Sequence, residues 1–225
     1  MLNLGNYLQE QFNFDRGQQH ALDEAIGVYE EALAGSPTDS DRPKLQNGLS
    51  AASLSRFSVS DDAADLERAS CFGQLAIDSD ASHPYRSTFL DTLSCALSTL
   101  FRLQGDERRL DRAIEYGEEA VGLAESQGSP NLQLFYTNFA ESLLTRSSLR
   151  GHGPDLDVAI ELLETAMPLF PDDQIHAGYC TLHYARGLQH RFERDGVESD
   201  ITLCVYLLEN LLRRTPPDRR LVAEY

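Results

Sequence analysis

Cysteine and histidine are the side chains of this sequence that could do covalent or metal chemistry. There are four cysteines, Cys71, Cys95, Cys180 and Cys204, and six histidines. A caspase-like hydrolase needs a histidine to take a proton and a cysteine thiolate to attack. Gly151-His152-Gly153 and Tyr179-Cys180-Thr181 come nearest to such a pair. Their setting argues against it. Helical periodicity puts Cys180 inside a helix and His152 in the turn between two helices, rather than at strand ends. His176, Cys180 and His183 share a helical face, and three N and S ligands would suit tetrahedral zinc. Ordinary packing of a helix face accounts for the same spacing, so we expect no metal and no cofactor. His183 and His190 repeat that spacing and read as one exposed stripe.

The carboxylates give a second temptation. Asp23, Glu67, Asp111 and Asp157 each directly follow a recurring leucine. A residue type that recurs in register points first to structure, and helix N-termini favour carboxylates through their free amides and dipole. Asp65, Asp155 and Asp200 stand where an N-cap would accept such bonds. No G-x-x-x-x-G-K-[ST] or G-x-G-x-x-G fingerprint occurs. We expect no enzymatic activity.

Composition narrows the class further. The chain has 225 residues, 36 Asp or Glu, 19 Lys or Arg and a net charge of −17. Its single lysine, Lys44, and its acidity exclude a basic face for nucleic acid. The longest apolar run, Leu203 to Leu208, falls far short of the roughly 18 residues of a membrane span. Nothing at the start reads as a signal peptide, and the unpaired cysteine pattern suggests buried thiols in a reducing, cytoplasmic setting. There are 34 Leu against 13 Val plus Ile, which favours helices over strands.

These residues are positioned by a repeat. A small residue recurs at Ala25, Ala69, Ala113, Ala159 and Cys204, in steps of 44, 44, 46 and 45 residues. Ala32, Ala76, Ala120, Ala166 and Leu211 follow in register, then Pro37, Pro171 and Pro216 in the first, fourth and fifth copies. Upstream, Leu4, Leu49, Leu93, Phe139 and Tyr184 each precede a small residue. Phe12, Phe57, Phe101, Ser147 and Phe192 stand eight residues on. Apolar residues fall at helical spacing in both halves of each copy, separated by breaks such as Gln104-Gly105-Asp106. The pattern predicts first helices near 2–14, 40–58, 84–103, 131–150 and 173–194. Second helices are predicted near 19–34, 63–78, 107–126, 155–169 and 198–214. Each pair has an apolar side that stacking would cover. Residues 1–225 thus read as one all-α array with copies near 1–39, 40–83, 84–130, 131–172 and 173–217, and 218–225 opening a sixth pair.

Ala25, Tyr29, Ala32 and Pro37, with Leu4-Gly5 upstream, resemble the landmarks of a tetratricopeptide repeat. The usual repeat has about 34 residues, so this period is long. The long form, with Arg191-Phe192-Glu193-Arg194-Asp195-Gly196 and Asp155-Leu156-Asp157-x-Ala159-Ile160, resembles arrays of fungal and bacterial proteins that carry a caspase-like CHAT protease domain. The tetratricopeptide resemblance implies a right-handed superhelical α-solenoid that binds a protein or peptide in a concave groove. The CHAT resemblance implies, as an alternative, the regulatory or substrate-recruiting array of such a protease, its catalytic domain absent from this chain.

Carried over through the landmarks, the groove positions of the first two copies are Asn6, Gln9, Glu10, Asn47 and Ser55. Those of the third are Asp91, Ser98 and Thr99. Those of the last two are Thr137, Glu141, Thr145, Arg186, Gln189 and His190. Asn and Gln can grip a peptide backbone with paired hydrogen bonds. A pair of basic residues to clamp a free C-terminus is not evident. The second helices carry much of the negative charge, at Glu30, Glu31, Glu115, Glu118, Glu119, Glu161 and Glu164, which reads as a solvated outer face. Apolar Leu207, Leu208, Leu211 and Leu212 near the end suggest a fragment of a longer array or end-to-end self-association.

Overall fold

Leucine-rich periodicity produces helices and no strand among the described residues. The computed structural model describes residues 1–14, 19–151, 153–171 and 175–214. His152, Pro216 and the proposed start of a sixth pair at 218–225 lie outside the described residues. The chain divides into two compact units, Met1–Gln127 and Gly128–Tyr225.

The first unit holds α1 (Leu2–Phe14), α2 (Gln19–Ala34), α3 (Arg42–Ser60), α4 (Ala63–Ser79), α5 (Arg86–Gln104) and α6 (Glu107–Ser126). The second holds α7 (Leu132–Arg150), α8 (Gly153–Ala166), α9 (Ile175–Asp195) and α10 (Glu198–Arg214), with a 3-10 turn at Met167–Leu169. Among the described residues the ten helices pack as sequential antiparallel hairpins: α1 on α2, α3 on α4, α5 on α6, α7 on α8 and α9 on α10. Within each unit one hairpin also touches the next, α2 on α3, α4 on α5 and α8 on α9.

In the second to fifth copies, the residue eight places after the upstream landmark accepts the turn that closes the first helix. The carbonyls of Phe57, Phe101, Ser147 and Phe192 accept the amides of Asp61, Gly105, Gly151 and Gly196. All four acceptors lead into a left-handed residue, with φ of 53°, 74°, 63° and 71°. This is a helix C-terminal turn, and glycine adopts it without the Cβ penalty. The polar breaks read from the sequence are these turns. The second helices start on true caps at two places, where Asp62 accepts from the Ala64 amide at 3.0 Å and Asp106 from the Arg108 amide at 3.1 Å.

Asp65, Asp155 and Asp200 are not N-caps, contrary to the sequence expectation. Each is the third residue of its helix and is buried. Each instead meets an arginine nine residues upstream, on the preceding first helix. Arg56 holds Asp65, Arg146 holds Asp155 and Arg191 holds Asp200, each through Nε and Nη2 to the two carboxylate oxygens. The guanidinium fork matches a carboxylate bidentately, so the pair sets the angle between the helices of a hairpin. The third copy has Leu100 and Arg109 at these places and the first has Gln11 and Ala21, so both partners change together.

The repeated small residues form the seam of each hairpin. Ala25, Ala69, Ala113 and Ala159 are fully buried and Cys204 is 4% exposed. The Ser50 hydroxyl donates to the Ala69 carbonyl and the Ser94 hydroxyl to the Ala113 carbonyl, both at 2.7 Å. Such bonds are within reach because no larger side chain holds the backbones apart. Leu49, Leu93, Phe139 and Tyr184 are buried beside this seam, while Leu4 is exposed.

Charged groups at the surface link one hairpin to the next. Asp23 pairs with Arg56 at 2.9 Å, and Glu30 pairs with Arg68. Glu67 accepts from Gln104 at 2.9 Å and from Arg109 at 3.2 Å. In the second unit Asp157 pairs with Arg194 at 2.7 Å. The in-register carboxylates Asp23, Glu67 and Asp157 are therefore links between hairpins. The second-helix glutamates named above are all exposed. Among the described residues, no helix is long and apolar enough to cross a membrane.

Candidate functional site: the polar positions of the first helices

In the first unit, Asn6 and Gln9 turn to their own hairpin. Tyr29 on α2 is fully buried and donates its hydroxyl to Asn6 Oδ1 at 2.8 Å, with Gln9 Oε1 at 3.2 Å. Burial, and then the nearby charge of Glu10, push the Tyr29 phenol up to about 12. The ring has room because two glycines face it. A Cβ on Gly5 would come within 2.4 Å of it and one on Gly48 within 2.7 Å. Glu10 is exposed.

Further along the same unit, Asn47 is half-buried, and its Oδ1 is shielded from water with no hydrogen-bond partner. Ser98 is 4% exposed and its hydroxyl likewise lacks a partner. Ser55 and Asp91 are half-buried. Thr99 donates to the Cys95 carbonyl at 2.8 Å and accepts from Arg102 at 3.1 Å.

In the second unit, Thr137 and Thr145 return their hydroxyls to α7, donating to the carbonyls of Gln133 and Glu141, both at 2.8 Å. Glu141 on α7 faces His183 on α9, with 3.9 Å between carboxylate and ring nitrogen. Lower on the same pair of helices, Ser148 Oγ meets His190 Nδ1 at 3.3 Å. Burial, and then the Arg186 charge, hold His190 below the usual histidine range. Gln189 donates to Glu193 at 2.9 Å. Arg186 is half-buried, and its Nε and Nη2 are shielded and without an acceptor.

The covalent and metal candidates find structural settings. Cys180 is fully buried, its thiol lies 4.0 Å from the Leu163 carbonyl, and burial pushes its pKa up, away from a nucleophilic thiolate. His176 is exposed. Among the described residues no group of three His, Cys, Asp or Glu side chains could hold a metal ion. Cys204 is also buried, but Cys71 is exposed and Cys95 half-buried, so the expectation of four buried thiols is corrected. Cys71 stands two residues after the seam residue Ala69, so helical spacing turns it to the opposite side of α4.

Sequence reasoning missed the Arg–Asp braces, although the joint change of both partners between copies was a readable signal. It also missed His83, which is 4% exposed in the turn before α5. Its Nδ1 accepts the Tyr85 amide at 3.1 Å, so Nε2 carries the proton toward the Ser40 carbonyl at 3.3 Å. The ring lies 4.9 Å from that of Phe89, which makes this histidine a packing residue.

No protein-family model and no curated protein matches the chain. A solved structure described as "DHF58 filament" shares 18% sequence identity with a TM-score of 0.36, over 95% of this chain and 90% of that one.

Proposed function

We propose that the chain is a non-catalytic protein-interaction scaffold of tetratricopeptide-like hairpins. On this reading the hairpins within each unit wind in the right-handed sense of such arrays and present their first helices to a protein or peptide. One observation supports it above the others. Among the described residues, shielded polar atoms without partners fall on first helices at Asn47 and Ser53 of α3, Ser98 of α5 and Arg186 of α9, and on a second helix at Arg68 Nε of α4 alone. A polar atom taken from water without a partner is costly, and a ligand that completes the bond recovers that cost. Three of the four first-helix residues are groove positions carried over from the repeat. The second helices, in contrast, present exposed glutamates that already serve solvation and the links between hairpins.

Site-directed photocrosslinking tests this. A photoreactive phenylalanine analogue at Glu10 or Gln189 should form adducts with a partner in extracts of the source cells. The same group at Glu118, on a second helix, should form few. Equal adduct yields at the two kinds of position, or adducts at Glu118 alone, would contradict the reading.

A further inference from the structure

Among the described residues, Arg56, Arg146, Arg191 and Arg194 use one edge of the guanidinium in the same way. Nε and Nη2 of Arg56, Arg146 and Arg191 grip Asp65, Asp155 and Asp200, and those of Arg194 grip Asp195. In Arg186 that same edge is shielded and has no acceptor. We propose that the Nε–Nη2 edge of Arg186 is a receptor for an aspartate or glutamate side chain of a partner peptide.

The geometry of α7 and α9 supports this. His183, Arg186 and His190 recur at three and four residues, so they share one face of α9. The outer two of these three have partners on α7, His183 at Glu141 and His190 at Ser148. Arg186 lies between those two contacts. The α7 side chain in register with it is Leu144, which is fully buried and within 3.4 Å of where a Gly187 Cβ would stand. Leucine offers no acceptor. Thr145, the neighbouring hydroxyl, already donates to its own helix. The seam between these helices is therefore polar at both ends and holds a cation without a counter-ion in the middle. The carboxylates beside it have other contacts, Glu141 with His183 and Glu193 with Gln189.

A planar bidentate acceptor fits this edge best, and a carboxylate is what the sibling arginines hold. The edge is shielded in the free protein, so docking requires the side chain to turn within its half-buried setting. In a chain of net charge −17, long-range repulsion opposes an acidic partner. At about 0.15 M salt the screening length is only about 8 Å, so the local cation dominates once contact is made.

The proposal deepens the scaffold reading by naming the partner's chemistry, yet its test needs no cellular partner. The full chain, labelled for NMR, is titrated with N-acetylated, C-amidated tetraglutamate at 0.15 M salt. The expected result is a shift of the Arg186 Nε–H resonance, together with a rise in the His190 ring pKa as the bound carboxylate offsets the Arg186 charge. R186K keeps the charge and loses the fork, and should weaken binding at least tenfold. R213Q removes an exposed charge on α10 and should leave affinity unchanged. An unmoved Arg186 signal, equal weakening in R213Q, or equal binding by tetra-alanine with a free C-terminus would overturn the proposal. The wild-type titration decides the matter even if R186K folds poorly. Failure of the photocrosslinking contrast alone would count against the scaffold and not against this site.

Discussion

Arg146 holds Asp155 with two parallel bonds, Nε to Oδ2 at 2.6 Å and Nη2 to Oδ1 at 2.8 Å, across the turn from α7 to α8. The aspartate side chain is 7% exposed and the arginine 24%. Removing the arginine takes both of these charge-assisted bonds from a buried carboxylate. R146A should therefore destabilise the fold by about 3 kcal/mol, the low end for a broken buried pair because the arginine is partly solvated. R146L with D155L should be markedly milder than the two single changes summed, since apolar replacement of a buried pair is often tolerated. The third copy already carries the fully buried Leu100 at the arginine position. Urea denaturation of wild type, R146L, D155L and the double variant gives the coupling, and strict additivity would show that the two side chains do not act as a pair.

Leu110 is fully buried at the start of α6. Leu110→Ala should cost about 2–5 kcal/mol, the transfer loss plus a residual cavity. Chemical denaturation with an unchanged m-value checks this, and a cost near zero would mean that the register of the repeat is wrong.

Tyr29 and Gly48 are coupled by size. A Cβ at Gly48 would stand 2.7 Å from the Tyr29 ring, so the ring or the helix must move. G48A should destabilise by about 1–3 kcal/mol, the usual range for overpacking. Combining it with Y29L should return part of that loss, because the smaller side chain vacates the ring's edge. Thermal melts of the single and double variants measure the recovery, and no recovery would place the strain elsewhere.

Alkaline pH should act through the same tyrosine. Its folded-state pKa of about 12 lies above the ordinary value of 10.0. Between those values the unfolded chain has lost the phenolic proton and the folded chain keeps it. The unfolded state binds fewer protons, so stability falls as pH rises through that window and the contribution is fully present below it. Denaturation midpoints from pH 9 to 12 should decline more steeply for wild type than for Y29F. Parallel curves would mean that Tyr29 does not carry the effect.

Much of the fold was legible in the sequence because its signals are local. Periodicity placed α1, α2, α6 and α10 at the bounds observed, Leu2–Phe14, Gln19–Ala34, Glu107–Ser126 and Glu198–Arg214. A left-handed C-terminal turn depends on a few neighbouring residues, and Gln104-Gly105-Asp106 contains them. Asp65 was misplaced for a local reason too. A carboxylate three residues inside a helix and one at its cap both suit the helix dipole. Only the position of Arg56 on the facing helix distinguishes a brace from a cap.

The candidate site divides in the same way. First-helix register is read from Leu4, Leu49, Leu93, Phe139 and Tyr184, so the sequence by itself assigns residues to equivalent positions of each hairpin. Whether those residues are available was decided by the tertiary structure. Asn6 and Gln9 are drawn to the Tyr29 hydroxyl, since Gly5 and Gly48 admit the ring. Arg186 keeps an empty edge, since a leucine lies in register with it on α7 and it meets no aspartate of the following helix as Arg146 and Arg191 do. Helix formation follows from spacing along one chain. Hydrogen-bond partnership depends on which atoms two separate helices bring within about 3 Å, and that distance is set by packing.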